Sequence, residues 1–295
     1  MSPLLRARRR FVALLVITAS LAAVPAANAA GTFTGPKDYY VAVGDSLAFG
    51  YQQAKLNNSL PPNPFTYSEA LFNTGYVDDF ATLMHASGSN PTQTVNFGCP
   101  GETSSSLINA TNATTGCTTF PLGIHQNHPG TTQITAAVDF LAAHASQTSP
   151  VTLDIGANDL LAVIRGCAFD PTCIQAAAPA AFGQIAQNTT IALRRMQAVA
   201  PRAKYIVLGL YNPTFTLPGG DALTQAFNSL ISSVAASNGA LFADPFNAIN
   251  HGAAYPNEAA SVCSQIAICT PLQDIHPFDN GYQVLANTIF AASGY

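Results

Sequence analysis

Residues 39–51 read YYVAVGDSLAFGY. An aromatic and β-branched apolar run of strand character breaks off at Gly44-Asp45-Ser46, so a small hydroxyl stands where the chain leaves the strand. Two readings of Ser46 compete there. It can cap the helix that follows, or it can be a nucleophile held at the carboxyl end of a strand.

Outward from this stretch, four more short apolar runs are bounded by turn residues: QTVNFG (93–98), VTLDIG (151–156), KYIVLGL (204–210) and ALFADP (240–245). Segments of helical period lie at 66–87, 132–147, 175–200, 221–238 and 280–293. This alternation predicts an α/β fold with five parallel strands covered by helices. Composition does not break along the way, so residues 30–295 are expected to form a single domain, a size that buries a full core. In open sheets of this kind ligands bind beyond the carboxyl ends of the strands. Two stretches depart from the alternation, 50–65 and 99–130, both rich in Pro, Asn, Thr and Gly. Loops this long are usually functional or disordered, and these are expected to wall a substrate cleft.

The first residues are set apart from the fold. MSPLLRARRR is a basic head, FVALLVITASLAAV (11–24) an apolar middle and AANAA (26–30) a small-residue cleavage site, so residues 1–29 are expected to be a cleaved export signal. Arg8-Arg9-Arg10-Phe11-Val12 suits twin-arginine export as well as the general secretory route, and both stay open. The apolar segment is too short to span a bilayer, so a secreted or periplasmic protein without a stable membrane anchor is expected. Removing the signal leaves seven Lys plus Arg against fifteen Asp plus Glu, a net charge near −8. Nucleic acid and anionic membranes need clustered positive charge, and only Arg194-Arg195 with Arg202 and Lys204 come near it. No nucleic-acid partner is expected, and the chain is expected to be a monomer.

Six cysteines, an even number in an exported chain, read as bridges, with fifteen connectivities open. The economical one pairs neighbours: Cys99 with Cys117, Cys167 with Cys173, and Cys263 with Cys269. No C-x-x-C pair supports the rival reading of a zinc site.

Chemistry should collect at the strand ends. Strand one ends at Ser46, strand two runs into Cys99-Pro100-Gly101-Glu102, strand three ends at Gly156-Ala157-Asn158-Asp159, and QDIHPFDNGY (273–282) lies before the last helix. Acyl transfer from an ester needs a nucleophile, a base, and hydrogen-bond donors aimed at the developing oxyanion. Ser46 and His276 can be the first two. Gly101 offers a backbone N–H with no Cβ in the way, and the Asn158 amide is a neutral donor. With the Ser46 N–H they make an oxyanion hole of three donors.

These blocks resemble the GDSL or SGNH hydrolases: GDSL at 44–47, NFGCPGETS at 96–104, GAND at 156–159 and DIHP at 274–277, in the family's order. The resemblance runs from Tyr39 to the C-terminus. It implies a three-layer α/β/α sandwich on a five-stranded parallel sheet, flavodoxin-like in type. It also implies a carboxylic ester hydrolase, an esterase or lipase, with Ser46 as nucleophile, His276 as base and Gly101 and Asn158 in the oxyanion hole. No metal or cofactor is implied. The partner would be a small-molecule or lipid ester or an acylated carbohydrate. One departure stands out. The family's last block usually carries an aspartate three residues before the histidine, where this chain has Gln273; Asp274 is two before His276. Either Asp274, from a shifted loop, or a backbone carbonyl near 273 orients the imidazole.

Two rival functions remain at this stage. The carboxylates Asp45, Asp154 and Asp159 could serve a metal phosphoesterase, although His85, His125, His128, His144 and His251 lack H-x-H or H-E-x-x-H spacing and read as solvent-exposed. Asp45 and Asp159 read instead as braces for the loops beside them, and His125 and His128 as outside candidates for substrate contact. The altered last block suits a binding module that has kept the scaffold. Tyr51, Phe65, Tyr67, Tyr76 and Phe120 could line a pocket but read as packing, and the G-x-S-x-G elbow of other serine esterases is absent.

Overall fold

The computed structural model describes residues 35–88, 93–109 and 116–295, so the expected export signal lies outside the described residues. Five strands form the sheet: β1 (Tyr39–Gly44), β2 (Gln93–Asn96), β3 (Thr148–Asp154), β4 (Tyr205–Leu208) and β5 (Leu241–Ala243). Their order is β2-β1-β3-β4-β5 and every pairing is parallel. That order is flavodoxin-like and places the switch point between β1 and β3.

Period-two alternation makes the three layers. On one face Tyr40 and Ala42 of β1 and Ile206 and Leu208 of β4 are buried in one apolar cluster. It is completed by α3 (Tyr76–Ala86) and α11 (Asp279–Ser293) through Tyr76, Phe80, Leu285 and Ile289. On the other face Val41, Val43, Leu153 and Val207 meet α5 (Gln133–Ala143), α7 (Pro171–Val199) and α8 (Gly220–Ser237) through Ile134, Leu193 and Phe227. Strands covered on both faces read as near-continuous apolar runs, and this explains why the strand segments were visible in the sequence. Each fully buried Leu, Ile or Phe contributes roughly 1.5–3 kcal/mol.

Short helices fill the strand ends: α1 (Ser46–Phe49), α2 (Gln53–Ser59), α4 (Ser104–Ile108), α6 (Ala157–Gly166), α9 (Phe246–Asn250) and α10 (Glu258–Gln265). The expected helix at 66–87 is instead a 3-10 turn, Glu69–Phe72, followed by α3, because Asn73 to Gly75 interrupt the period. The expected 175–200 helix starts earlier, at Pro171, where Asp170 caps by accepting from the Cys173 N–H at 2.7 Å. β3 begins at Thr148 although Pro150 lacks an N–H; the pairing with β1 is irregular between Tyr39 and Val41, which takes up the missing donor. Among the described residues no helix is long and apolar enough to cross a membrane.

The three neighbour pairs of cysteines are bridged, Cys99–Cys117, Cys167–Cys173 and Cys263–Cys269, with Cα atoms 5.2, 5.5 and 5.3 Å apart. Each closes a loop outside the sheet.

Candidate active site

The end of β1 is clamped before it turns. Gln133 accepts from the Gly44 N–H and donates to its carbonyl, both at 2.8 Å. A Cβ on Gly44 would sit 2.6 Å from the Asp154 carbonyl oxygen, so only glycine lets β1 and β3 approach here. The cap of α1 is Asp45, whose Oδ1 accepts from the Leu47 N–H at 2.9 Å. The capping task therefore falls on Asp45 and leaves the Ser46 hydroxyl for another partner. Its Oγ lies 2.8 Å from His276 Nε2.

His276 comes from a loop held on both sides. The Ala267 N–H donates to the His276 carbonyl at 3.0 Å, the Phe278 N–H to Gln265 at 2.9 Å, and the Tyr211 hydroxyl to the Ile275 carbonyl at 2.7 Å. Nδ1 of the ring is 2.5 Å from Asp274 Oδ1, and the other carboxylate oxygen accepts from the Gln53 N–H at 2.8 Å. The contact to Asp274 fixes the proton on Nδ1, which leaves Nε2 as the acceptor for the Ser46 hydroxyl. Burial opposes ionisation of Asp274, but the hydrogen bonds and charge of His276 and the Gln53 N–H outweigh it and hold its pKa below the ordinary value. Gln273, immediately before Asp274, takes a left-handed conformation, φ 49°.

The remaining sequence-selected groups face the same space. Ser46, Gly101, Asn158, Asp274 and His276 all line one recess. Gly101 has φ 80°, and a Cβ there would meet nothing closer than 3.7 Å, so glycine serves the backbone conformation more than the space. Among the described residues neither the Ser46 nor the Gly101 N–H has an acceptor. The Asn158 amide donates to the Glu102 carbonyl at 2.9 Å and, more weakly, to Asp45 Oδ2 at 3.4 Å.

The other acids hold loops. Asp159 accepts from the Ser104 N–H and hydroxyl, both at 2.8 Å, and burial raises its pKa against those bonds. Asp154 accepts from the Tyr76 hydroxyl at 2.5 Å and the Asp45 N–H at 3.2 Å. Burial, then the nearby Asp45 charge, raise the Asp154 pKa well above its ordinary value. Among the described residues the groups at metal-ligand spacing, Cys99-Cys117-His128 and Asp221-His251-Glu258, include none of Asp45, Asp154 and Asp159, and the two cysteines are bridged to each other.

Several expectations need correcting. His125, His128 and His144 are half-buried rather than solvent-exposed: His125 bonds the Phe49 carbonyl at 3.0 Å, packs tilted against the Phe49 ring and has its pKa lowered by burial, and His144 packs against the Tyr39 and Phe140 rings. Neither His125 nor His128 lines the recesses at Ser46. Tyr51 and Phe120 do border the site, and the Tyr51 ring meets the His276 ring edge-on at 4.7 Å. Tyr76 is core, Tyr67 bonds the Gly123 carbonyl, and Phe65 is 65% exposed.

Glu102 escaped sequence reading. It is 2% exposed and accepts from the Cys117 N–H at 3.2 Å, and burial pushes its pKa up to about 7 against hydrogen bonds from Ser106 and Cys117. Also unread was a narrow apolar recess on the far side of Ser46, bordered by Leu160, Leu161 and Ile164 of α6 with Leu210 and Leu223.

A hydroxyl, an imidazole and a carboxylate in line at the switch point of a parallel sheet have the layout of an ester hydrolase. The chain belongs to the GDSL-like lipase/acylhydrolase family, whose profile matches residues 42–284. Such enzymes are carboxylic ester hydrolases, and the fold is of the SGNH-hydrolase type. No curated protein sequence matches the chain. Among solved structures it is similar to an extracellular lipase from Streptomyces rimosus, with 16% identity, 86% of this chain and 99% of that one covered, and a TM-score of 0.55. It is similar to phospholipase A1 from Streptomyces albidoflavus, with 18% identity, coverage of 87% and 99%, and a TM-score of 0.54. A variant of the acetyl-xylooligosaccharide esterase of Geobacillus stearothermophilus aligns at 14% identity, with coverage of 89% and 96% and a TM-score of 0.55. At these identities the likeness is one of fold.

Proposed function

We propose that the protein is an exported serine esterase that cleaves carboxylic esters through an acyl-enzyme on Ser46. The observation that carries this reading is the unbroken chain from Ser46 Oγ to His276 Nε2, 2.8 Å, and from His276 Nδ1 to Asp274, 2.5 Å. His276 takes the hydroxyl proton as Ser46 Oγ bonds the carbonyl carbon, then returns it to the departing alcohol. Water, deprotonated by the same nitrogen, attacks the acyl-enzyme, and the proton passes back to Ser46 as the acid leaves. Asp274 keeps the ring in the working tautomer and stabilises the imidazolium. The N–H groups of Ser46 and Gly101 and the amide of Asn158 receive the oxyanion. Asn158 would give up its 3.4 Å bond to Asp45 for the oxyanion and keep the shorter one to Glu102.

Residues 1–29 are the cleaved export signal in this reading, and 30–295 form one hydrolase domain that acts as a monomer outside the cytoplasm. The three disulfides and the extracellular origin of one similar lipase support it. A lipid or small-molecule ester, or an acylated sugar, fits the range of substrates named for the similar structures.

The test is p-nitrophenyl ester hydrolysis by the mature protein and by Ser46→Ala, together with labelling by an organophosphonate. Loss of turnover and of labelling in the variant is expected; a Ser46→Ala enzyme as active as the wild type would overturn the assignment. A binding module without an activated serine would take no label at all.

A further inference from the structure

Two mostly apolar recesses adjoin one another, and the first of them reaches Ser46. The first opens at the Ser46 hydroxyl, measures about 670 Å³ counting its mouth, and is bordered by Leu160, Leu161, Ile164, Leu210 and Leu223. The second, about 850 Å³ counting its mouth, lies between α7 and α8 against Ile174, Ala178, Phe182, Leu217 and Leu223. Among the described residues Gly220 and Leu223 alone border both. Gly220 has no side chain, so Leu223 is the side chain the two recesses share, flanked by Ile164 on the first and by Ile174 and Leu217 on the second.

That side chain is not free to swing. Leu223 and Leu217 pack on a small cluster of Ile164, Cys167 and Ile174. The Cys167–Cys173 bridge closes the turn between α6 and α7, which carries Ile164 on one side and Ile174 on the other. The wall between the recesses is thus stapled covalently on the α6–α7 side, with Leu223 on α8 and Leu217 in the turn that precedes it.

We propose that Leu223 sets the length of acyl chain the enzyme accepts. This rests on the reading of Ser46 as the nucleophile. An acyl group bonded to Ser46 has its carbonyl oxygen among the donors, and its hydrocarbon must leave either toward the first recess or toward the other space at Ser46, the one that Gly101 and Phe120 border. The latter is bordered by Gln53, Arg165, Gln273 and Asp274, whose polar groups would lose water to a hydrocarbon without gaining a partner. The first recess is apolar and receives the chain. Each methylene buried there raises kcat/KM by roughly threefold to fourfold, until the chain end meets Leu223 and the next methylene has to displace packed side chains. Beyond Leu223 the second recess would accept more hydrocarbon, but the partition closes it off.

The experiment is the kcat/KM series for p-nitrophenyl esters from acetate to palmitate, measured on the disulfide-intact mature protein. Wild type, Leu223→Ala, Leu223→Met and Leu223→Phe are compared, with Ser46→Ala as the separate control on the nucleophile. Leu223→Ala removes three side-chain carbons and should move the chain length at which turnover falls upward by about three carbons or more, joining the recesses. The ratio of long-chain to short-chain kcat/KM should rise about tenfold or more. Leu223→Phe should move the fall to shorter chains, and Leu223→Met should stay near wild type. A profile unchanged in every folded variant, or shifted the same way by Ala and Phe, overturns the role of Leu223 while leaving Ser46 in place. If Leu223→Ala fails to fold, the direction of the Phe shift decides. Activity retained in Ser46→Ala would instead remove the nucleophile reading itself.

Discussion

The two walls that meet at Ser46 are made of different material. On one side stand mostly helix faces, Leu160, Leu161 and Ile164 from α6 and Leu223 from α8, joined by the loop from Leu210 to Thr214 after β4. On the other side stand mostly loops, Tyr51, Pro100 and Gly101, Phe120, and the segment from Leu272 to His276, with Gln53 at the start of α2 and Leu161 and Arg165 of α6. The first wall is held by packing, where dozens of weak contacts share the load and shape is preserved by density. The second is held by a few directional bonds, each aimed at one atom. Asp274 holds His276 and Gln53, Glu102 holds Cys117, and Asp159 holds Ser104. A wall of the first kind should fail gradually and change what is accepted, whereas one of the second kind should fail at single atoms and change whether chemistry occurs at all.

The largest expected effect breaks the loop wall at its most loaded atom pair. Asp274→Asn keeps size and can still accept from the Gln53 N–H, but it no longer demands a proton on His276 Nδ1. In the proposed mechanism kcat should fall by about 10⁴-fold with little change in thermal stability. Steady-state kinetics beside a melting curve checks this, and a loss of less than tenfold would show that the carboxylate is dispensable.

Asn158→Ala tests the boundary between the walls, since this amide sits in the first turn of α6 but donates toward the loop side. A loss of about 10²–10³ in kcat with KM nearly unchanged is expected for one oxyanion donor. A change in KM alone would make Asn158 a binding group instead.

The smallest effect sharpens the comparison through stability. Folding raises the Glu102 carboxyl from an ordinary 4.5 to about 7, by burial foremost. Its protonated form therefore adds stability that is fully present below pH 4.5 and is lost as pH rises through about 7. Glu102→Gln should abolish that loss, up to about 3 kcal/mol, so the gap in melting temperature between pH 5 and pH 8 should shrink by several degrees relative to wild type. An equal gap in both proteins would mean that Glu102 does not titrate in this range.

What could be read in advance follows the same division. Strands buried on both faces declare themselves as apolar runs, and the motif blocks stand where those runs stop. Closure of Asp274 on His276 could not be read from spacing alone, and the chain enters Asp274 through a left-handed residue, Gln273, a conformation that glutamine does not advertise. α6 was passed over because its ten residues bury only Leu160 and Ile164 fully, too short a period to stand out beside the motif that opens it. The Asp170-Pro171 pair that starts α7 is a helix start legible in the sequence. Glu102 and Leu223 carry no local signal; one matters through the loop folded over it, the other through two hollows that exist only once α6, α7 and α8 are packed.

The carboxylate of Asp274 grips two things at once, the imidazole through one oxygen and the first residue of α2 through the other. Pressure on that helix from a bulky departing alcohol is therefore felt by the proton carrier itself. In the proposed reaction, tolerance toward large alcohols would run out when the ring begins to tilt, before space is exhausted, and crowding would register first as slower turnover and only afterwards as weaker binding.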